Sequence, residues 1–145
     1  MALFQVNCFE RRGRFLSMKP NYLLLAAING FLVVLLGAFG AHALETRVSA
    51  DMLEVWHTAV QYQMFHTAGL IALGFLQRVQ TTISDSSLAV IGYCFVAGIV
   101  LFSGSLYLLA LTQLRWLGMI TPVGGVLFLA AWLQMARVCY RLHKQ

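Results

Sequence analysis

The chain has 145 residues, 60% of them hydrophobic, with ten Lys or Arg, five Asp or Glu and a formal charge of +5. Ordinary soluble domains are roughly 45–50% apolar, so this composition excludes a soluble globular domain, a disordered tail and a disulfide-stapled secreted module. The basic balance does not indicate nucleic acid, because the cations sit at the chain ends and in short connections and leave no face to track phosphates.

Residues 20–44, 55–77, 86–114 and 116–136 contain no Asp, Glu, Lys or Arg, giving uncharged runs of 25, 23, 29 and 21 residues. A hydrocarbon core of ~30 Å takes roughly 20 residues at ~1.5 Å each, and every run meets that length. The sequence therefore predicts an all-α integral membrane protein with four transmembrane helices, over about 22–43, 56–77, 88–111 and 117–138. Connections this short force successive helices antiparallel, giving an up-down bundle. Residues 20–140 form one membrane domain, flanked by a basic arm (1–19) and a basic tail (141–145). Arg11, Arg12, Arg14 and Lys19 share one side with Arg78, Arg137, Arg141 and Lys144, against Arg47 and Arg115 on the other. That bias over short loops places both termini in the cytoplasm, in the inner membrane of a cell.

The first span opens at Tyr22. Basic residues, an apolar stretch and Ala41-His42-Ala43 imitate a secretory leader, but Tyr22 to Ala41 exceeds the roughly 7–15 apolar residues of a leader's core. It reads as a retained span. Asp51, with Glu54 three residues on, forms a capping-box-like start for the second helix. That helix begins above the bilayer, enters near Trp56 and leaves near Gln77. Ser84-Asp85-Ser86 is the polar break before the third span. Thr121-Pro122 resembles an N-cap and first helical position, making Trp116 to Ile120 an approach segment rather than helix. Tyr22 and Tyr140 are placed at the inner interface, Trp56 and Trp116 at the outer one. Cys8, Cys94 and Cys139 fall on the reducing side and read as small apolar filler without a structural disulfide.

Small residues let helix backbones approach closely where lipid removes the hydrophobic drive. Gly30, Gly37, Gly40, Gly98, Gly104, Gly124 and Gly125 are expected at such contacts, within one chain or between protomers. Ser103 and Ser105 read as part of the same packing, and Tyr107 and Gln134 as hydrogen-bonders inside the bundle.

The second helix carries most of the chemistry: His57, Gln61, Tyr62, Gln63 and His66 precede an apolar stretch from Leu70 to Leu76. At 100° per residue, His57 and Gln61 lie about 40° apart, whereas His57 and His66 project in opposite directions. Those two histidines cannot hold one ion from the same helix. A stretch polar on several sides does not face lipid, so it sits centrally or lines a wet cavity. By depth, His42 and His57 belong near the outer interface and His66 near the midplane, with Asn29 at comparable depth. The candidate ligand residues are His42, His57, Gln61, Gln63, His66 and Asn29. One reading makes an outer site for a metal or small polar ligand, or a midplane haem or proton-relay histidine. The other has these groups hydrogen-bonding between helices. No regular metal spacing such as H-E-x-x-H is present, so no metal or other cofactor is expected.

No carboxylate or Lys lies within a span, so a proton-coupled pump would lack its usual relay. Small multidrug transporters of similar size depend on a membrane-embedded Glu in the first helix, where this chain offers Asn29. No Asp-oriented histidine accompanies Ser103 or Ser105, so no enzyme is expected.

Four motifs in order also carry a family likeness: Gly37-Ala38-Phe39-Gly40-Ala41-His42, then Gln61-Tyr62-Gln63-Met64-Phe65-His66, then Leu101-Phe102-Ser103-Gly104-Ser105-Leu106-Tyr107, then Thr121-Pro122-Val123-Gly124-Gly125. Over roughly residues 20–140 the chain resembles the bacterial YgdD-like family, the domain of unknown function 423, related to transmembrane protein 256. The resemblance implies a small four-span inner-membrane protein and no established activity, so no catalytic residue is carried over. Members of that family begin close to the first span, which makes Met18-Lys19-Pro20 read as a natural start and residues 1–17 as an added arm.

The expectation is a non-enzymatic module that sits in the lipid bilayer and binds a lipid or another membrane protein, or a second copy of itself. A solute transporter or channel lined by the polar half of the second helix, and a haem or metal redox module using the membrane histidines, stand as alternatives.

Overall fold

The computed structural model describes residues 20–79 and 84–144; the basic arm, with Cys8 and its four cations, lies outside them. Every element among these residues is helical. Asn21 starts α1 (Tyr22–Phe39), its side-chain oxygen accepting from the Leu24 N–H at 3.2 Å, as an N-cap Asn does. One π-helical turn, Gly40–Leu44, prolongs it. α2 (Ala50–Val79) is the longest helix at 30 residues. Its cap differs from the expected Asp51–Glu54 pair: Ser49 Oγ accepts from the Met52 N–H at 3.4 Å, two residues earlier. α3 (Asp85–Gly98), a π turn (Ile99–Ser103) and α4 (Gly104–Thr112) form one continuous rod. The rod ends where Gln113 adopts a left-handed conformation at φ 58°, its N–H returning to the Leu109 carbonyl, an αL stop.

The expected approach segment is a 3₁₀ turn, Arg115–Met119, and α5 (Thr121–His143) follows with Pro122 in its first turn. Thr121 does not cap it. Its hydroxyl lies 3.1 Å from Ser105 Oγ on the preceding rod. The stretches 22–44, 85–112 and 115–143 are long and apolar enough to cross a membrane. α2 is longer than α1, but Gln61, Gln63 and His66 dilute its apolar character.

Successive rods run antiparallel. The Trp56 indole donates to the Leu36 carbonyl at 2.9 Å at one end of the α1–α2 pair, and Gln77 donates to the Pro20 carbonyl at 3.0 Å at the other. The third rod passes α2 with Tyr107 beside Trp56 and Phe95 against Gly69. α5 returns along the third rod with Phe128 against Gly98 and Gly124 against Phe102. The arrangement is open rather than square: α1 packs on α2, while α2 and α5 both lean on the third rod and meet each other only sparsely.

Packing uses large side chains seated on glycines. A Cβ on Gly98 would fall 2.5 Å from the Phe128 ring, one on Gly69 2.7 Å from Phe95, and one on Gly40 2.6 Å from Trp56. Tyr22 covers Gly92 and Leu23 covers Gly74 in the same way. This corrects the aromatic belt. Tyr22 and Trp56 are buried inside the bundle, because each fills a notch that a glycine opposite leaves. Trp116 and Tyr140 remain exposed.

Two apolar clusters result. One joins Leu44, Trp56 and Ala110 at the end bearing the α1–α2 connection, and the larger runs from Phe128 through Phe95 and Leu73 to Val138. Outward-facing residues such as Phe31, Val34 and Leu129 are exposed and apolar, as a lipid-facing surface requires.

Candidate functional site

A polar layer separates the two apolar clusters. Gln63 is buried at its centre: its amide nitrogen donates to Asn29 Oδ1 at 3.3 Å, and its amide oxygen accepts from the Tyr107 hydroxyl at 2.8 Å. Asn29 also donates to the Leu25 carbonyl, and Thr67 donates to the Gln63 carbonyl. The chain Asn29–Gln63–Tyr107 thus ties three rods together and leaves the polar ends of Gln63 occupied. Ser105 completes the layer, donating to the Phe102 carbonyl at 3.0 Å or pairing with Thr121.

His66 lies three residues from Gln63, about 60° round the helix, and meets α5 instead of α1. Its Nδ1 sits 2.7 Å from the Tyr62 carbonyl oxygen. A carbonyl only accepts, so Nδ1 carries the proton and Nε2 of the neutral ring is an acceptor. The ring stacks on Phe128, centroids 3.4 Å apart and planes within 9°. Phe65 meets it edge-on at 5.3 Å. These contacts fix the ring plane.

Beside His66 opens a groove of about 920 Å³, within the usual range for ligand sites. α2 supplies Gln61, Tyr62, Phe65 and His66; α5 supplies Val126, Leu129 and Trp132; Phe102 of the π turn forms its floor. The cause is architectural. Because α2 and α5 each pack on the third rod, the space between them is bridged by ring contacts, His66 with Phe128 and Phe65 with Trp132. Phe65 and Leu129 on its two banks are 61% and 71% exposed, so the groove opens on the outer face of the bundle. A π turn shifts the phase of the helix that carries it; here Phe102 lines the groove while its neighbour Ser103 is fully buried, its hydroxyl without a partner.

The six candidate ligand residues therefore fall into three places. Asn29 and Gln63 belong to the inter-rod chain, Gln61 and His66 to the groove, and His42 and His57 are exposed on the surface near the α1–α2 connection. Among the described residues, no three His, Cys, Asp or Glu side chains come together as a metal centre. The glycines divide likewise. Gly40, Gly98 and Gly124 seat partners, Gly37 and Gly125 make ordinary contacts at 3.7 and 3.9 Å, and Gly30 and Gly104 have nothing within 4 Å of an added Cβ. Gly69, Gly74 and Gly92 also seat partners, and the sequence reading passed over them. It likewise missed Phe102, Phe128 and Trp132 as groove residues, since isolated aromatics in apolar runs carry no local signal. Gln134, expected to bond inside the bundle, instead accepts from Arg137 at 3.1 Å on the exposed face.

Comparison with known proteins finds relatives of this chain. A family profile described as protein of unknown function (DUF423) matches residues 36–125. A UPF0382 membrane protein of Bacillus subtilis, YwdK, is 49% identical over 114 residues, covering 79% of this chain and 91% of the relative. The inner membrane protein YgdD of Escherichia coli is 44% identical over 126 residues, 85% of this chain and 92% of its own length. A Haemophilus influenzae membrane protein is 41% identical over 120 residues, 82% and 93% of the two chains. No solved structure matches. With relatives named as membrane proteins and three apolar helices of spanning length, the chain is a small multi-pass membrane protein.

Proposed function

The chain belongs to the DUF423 family, and on that premise we propose that it is a non-enzymatic four-span protein of the inner membrane that takes a lipid into the α2–α5 groove. α2 is the fourth crossing. Its contacts with α1 extend from Trp56–Leu36 to Gln77–Pro20, so a bilayer crossed by α1 is crossed by α2. Two of its polar groups, Gln63 and His66, are buried, which lowers the cost of carrying them across the bilayer. The Lys and Arg bias puts both termini in the cytoplasm and the Trp56 end outside.

The groove carries this reading. It is lined mostly by apolar and aromatic side chains, contains no charged one, and opens sideways where acyl chains would be the surrounding solvent. Support for a binding rather than catalytic role comes from Ser105, whose hydroxyl is engaged by the Phe102 carbonyl and Thr121 and not by His66.

The test is photolabelling in nanodiscs with diazirine-bearing acyl chains, delivered as phosphatidylglycerol and as diacylglycerol. Adducts are expected to concentrate on residues 62–65 and 126–132, above the level at the exposed α1 residues Phe31 and Val34. Leu129→Trp, which fills the groove from its bank, lowers the α2 and α5 adducts severalfold and leaves those on α1. Labelling spread evenly over all lipid-facing helices would overturn the proposal.

A further inference from the structure

His66 is 4% exposed and lines the groove, and its Nε2 makes no hydrogen bond with any described residue. From this unpartnered acceptor, and resting on the groove reading above, we infer that the groove selects a neutral lipid with a free hydroxyl, whose O–H donates to His66 Nε2, over a lipid with a charged head group.

Three observations converge. First, the acceptor is deep. His66 lies ten residues along α2 from Trp56, about 15 Å at ~1.5 Å per residue, which is mid-bilayer when α2 spans. A charged head group stays at the interface and sends only its tails to that depth, whereas an uncharged hydroxyl can descend. Second, the lining offers no Lys, Arg, Asp or Glu to pair with an ionised group, and an unpaired charge there is strongly disfavoured. Third, the small exposed area of His66 admits one donor atom. A porphyrin face, which must bring its iron into direct contact with Nε2, needs far more of the ring uncovered. The Tyr62 carbonyl fixes the tautomer and the Phe128 stack fixes the ring plane, so the acceptor is preorganised.

The experiment is displacement of the diazirine label from the wild-type protein in nanodiscs by a tail-matched pair, dioleoylglycerol and its methyl ether. The alcohol is expected to compete at about 3–10-fold lower mole fraction, the range of one net hydrogen bond. His66→Phe keeps a planar ring on Phe128 and removes the acceptor, and should bring the two competitors within twofold. If the wild-type protein accepts alcohol and ether equally, or phosphatidylglycerol as well as diacylglycerol, the hydroxyl inference is overturned while the groove reading stands. If none of the three displaces label from residues 62–65 and 126–132, the groove reading itself has failed. The wild-type comparison decides the matter even where the variant does not fold.

Discussion

Gly124 and Gly125 are adjacent in the first turns of α5, yet an added methyl group should act on them with opposite sign. A Cβ on Gly124 would lie 2.5 Å from the backbone N of Phe102 and 2.9 Å from its Cα. Neither atom can swing aside, so α5 must retreat by about 1 Å to reach the ~3.5 Å of an ordinary contact. A retreat of that size forfeits a quarter to a half of the dispersion across each affected contact, and those include Phe128 on Gly98 and Thr121 beside Ser105. Overpacking of this kind costs about 1–3 kcal/mol. Replacing Gly with Ala in a helix returns about 0.5–1 kcal/mol, so at the middle of both ranges Gly124→Ala should lose about 1 kcal/mol net. At Gly125 the nearest atom to the new Cβ is the Phe102 ring at 3.9 Å. Only the propensity gain applies there, and Gly125→Ala should be neutral or more stable by up to about 1 kcal/mol. Reversible unfolding in mixed micelles with rising dodecyl sulfate, followed by circular dichroism, measures both. Equal stability of the two variants, or Gly124→Ala matching wild type, would refute the reasoning.

Two further outcomes follow from the geometry. Gln63→Leu strands the Tyr107 hydroxyl and Asn29 Oδ1; it should cost about 1–2 kcal/mol, and a double-mutant cycle with Tyr107→Phe in the same unfolding assay should return a coupling of about 0.6–1.7 kcal/mol. Single cysteines in a background without the native ones should report orientation: a membrane-impermeant thiol reagent applied to spheroplasts labels Arg115→Cys, whereas Lys144→Cys labels only after the membrane is opened.

The helical membrane architecture was readable because charge placement is a global property: long uncharged runs need no knowledge of contacts. Contacts were less readable. Tyr22 and Trp56 look like interfacial anchors in a linear sequence, and only the glycines opposite them, Gly92 and Gly40, turn them inward. The Ser49 cap was hidden by a better-looking Asp51–Glu54 pair two residues later. The π turns were hidden too, since one extra residue in a helical turn leaves no trace in hydropathy, yet it sets where Phe102 and Ser103 lie. Among the polar residues, the 100° rule separated His57 from His66 correctly, because both lie on one uninterrupted helix. It could not say which of Gln63 and His66 would be satisfied by the protein, since that depends on Asn29 and Tyr107, 34 and 44 residues away.

That difference is what separates a structural polar residue from a proposed binding one in this bundle. Gln63 and His66 share a helix, a depth and a buried setting. In lipid, an unsatisfied polar atom carries a cost that water cannot relieve, and a protein group or a ligand can remove it. Gln63 has a neighbouring rod on each side, and both ends of its amide are engaged by them. His66 faces the gap that arises because α2 and α5 pack on a common partner instead of on each other. One imidazole nitrogen is satisfied within its own helix; the other reaches a wall where no rod stands. The same open packing that creates the groove therefore leaves Nε2 of His66 without a partner among the described residues, and the binding proposed there rests on the architecture rather than on any motif in the sequence.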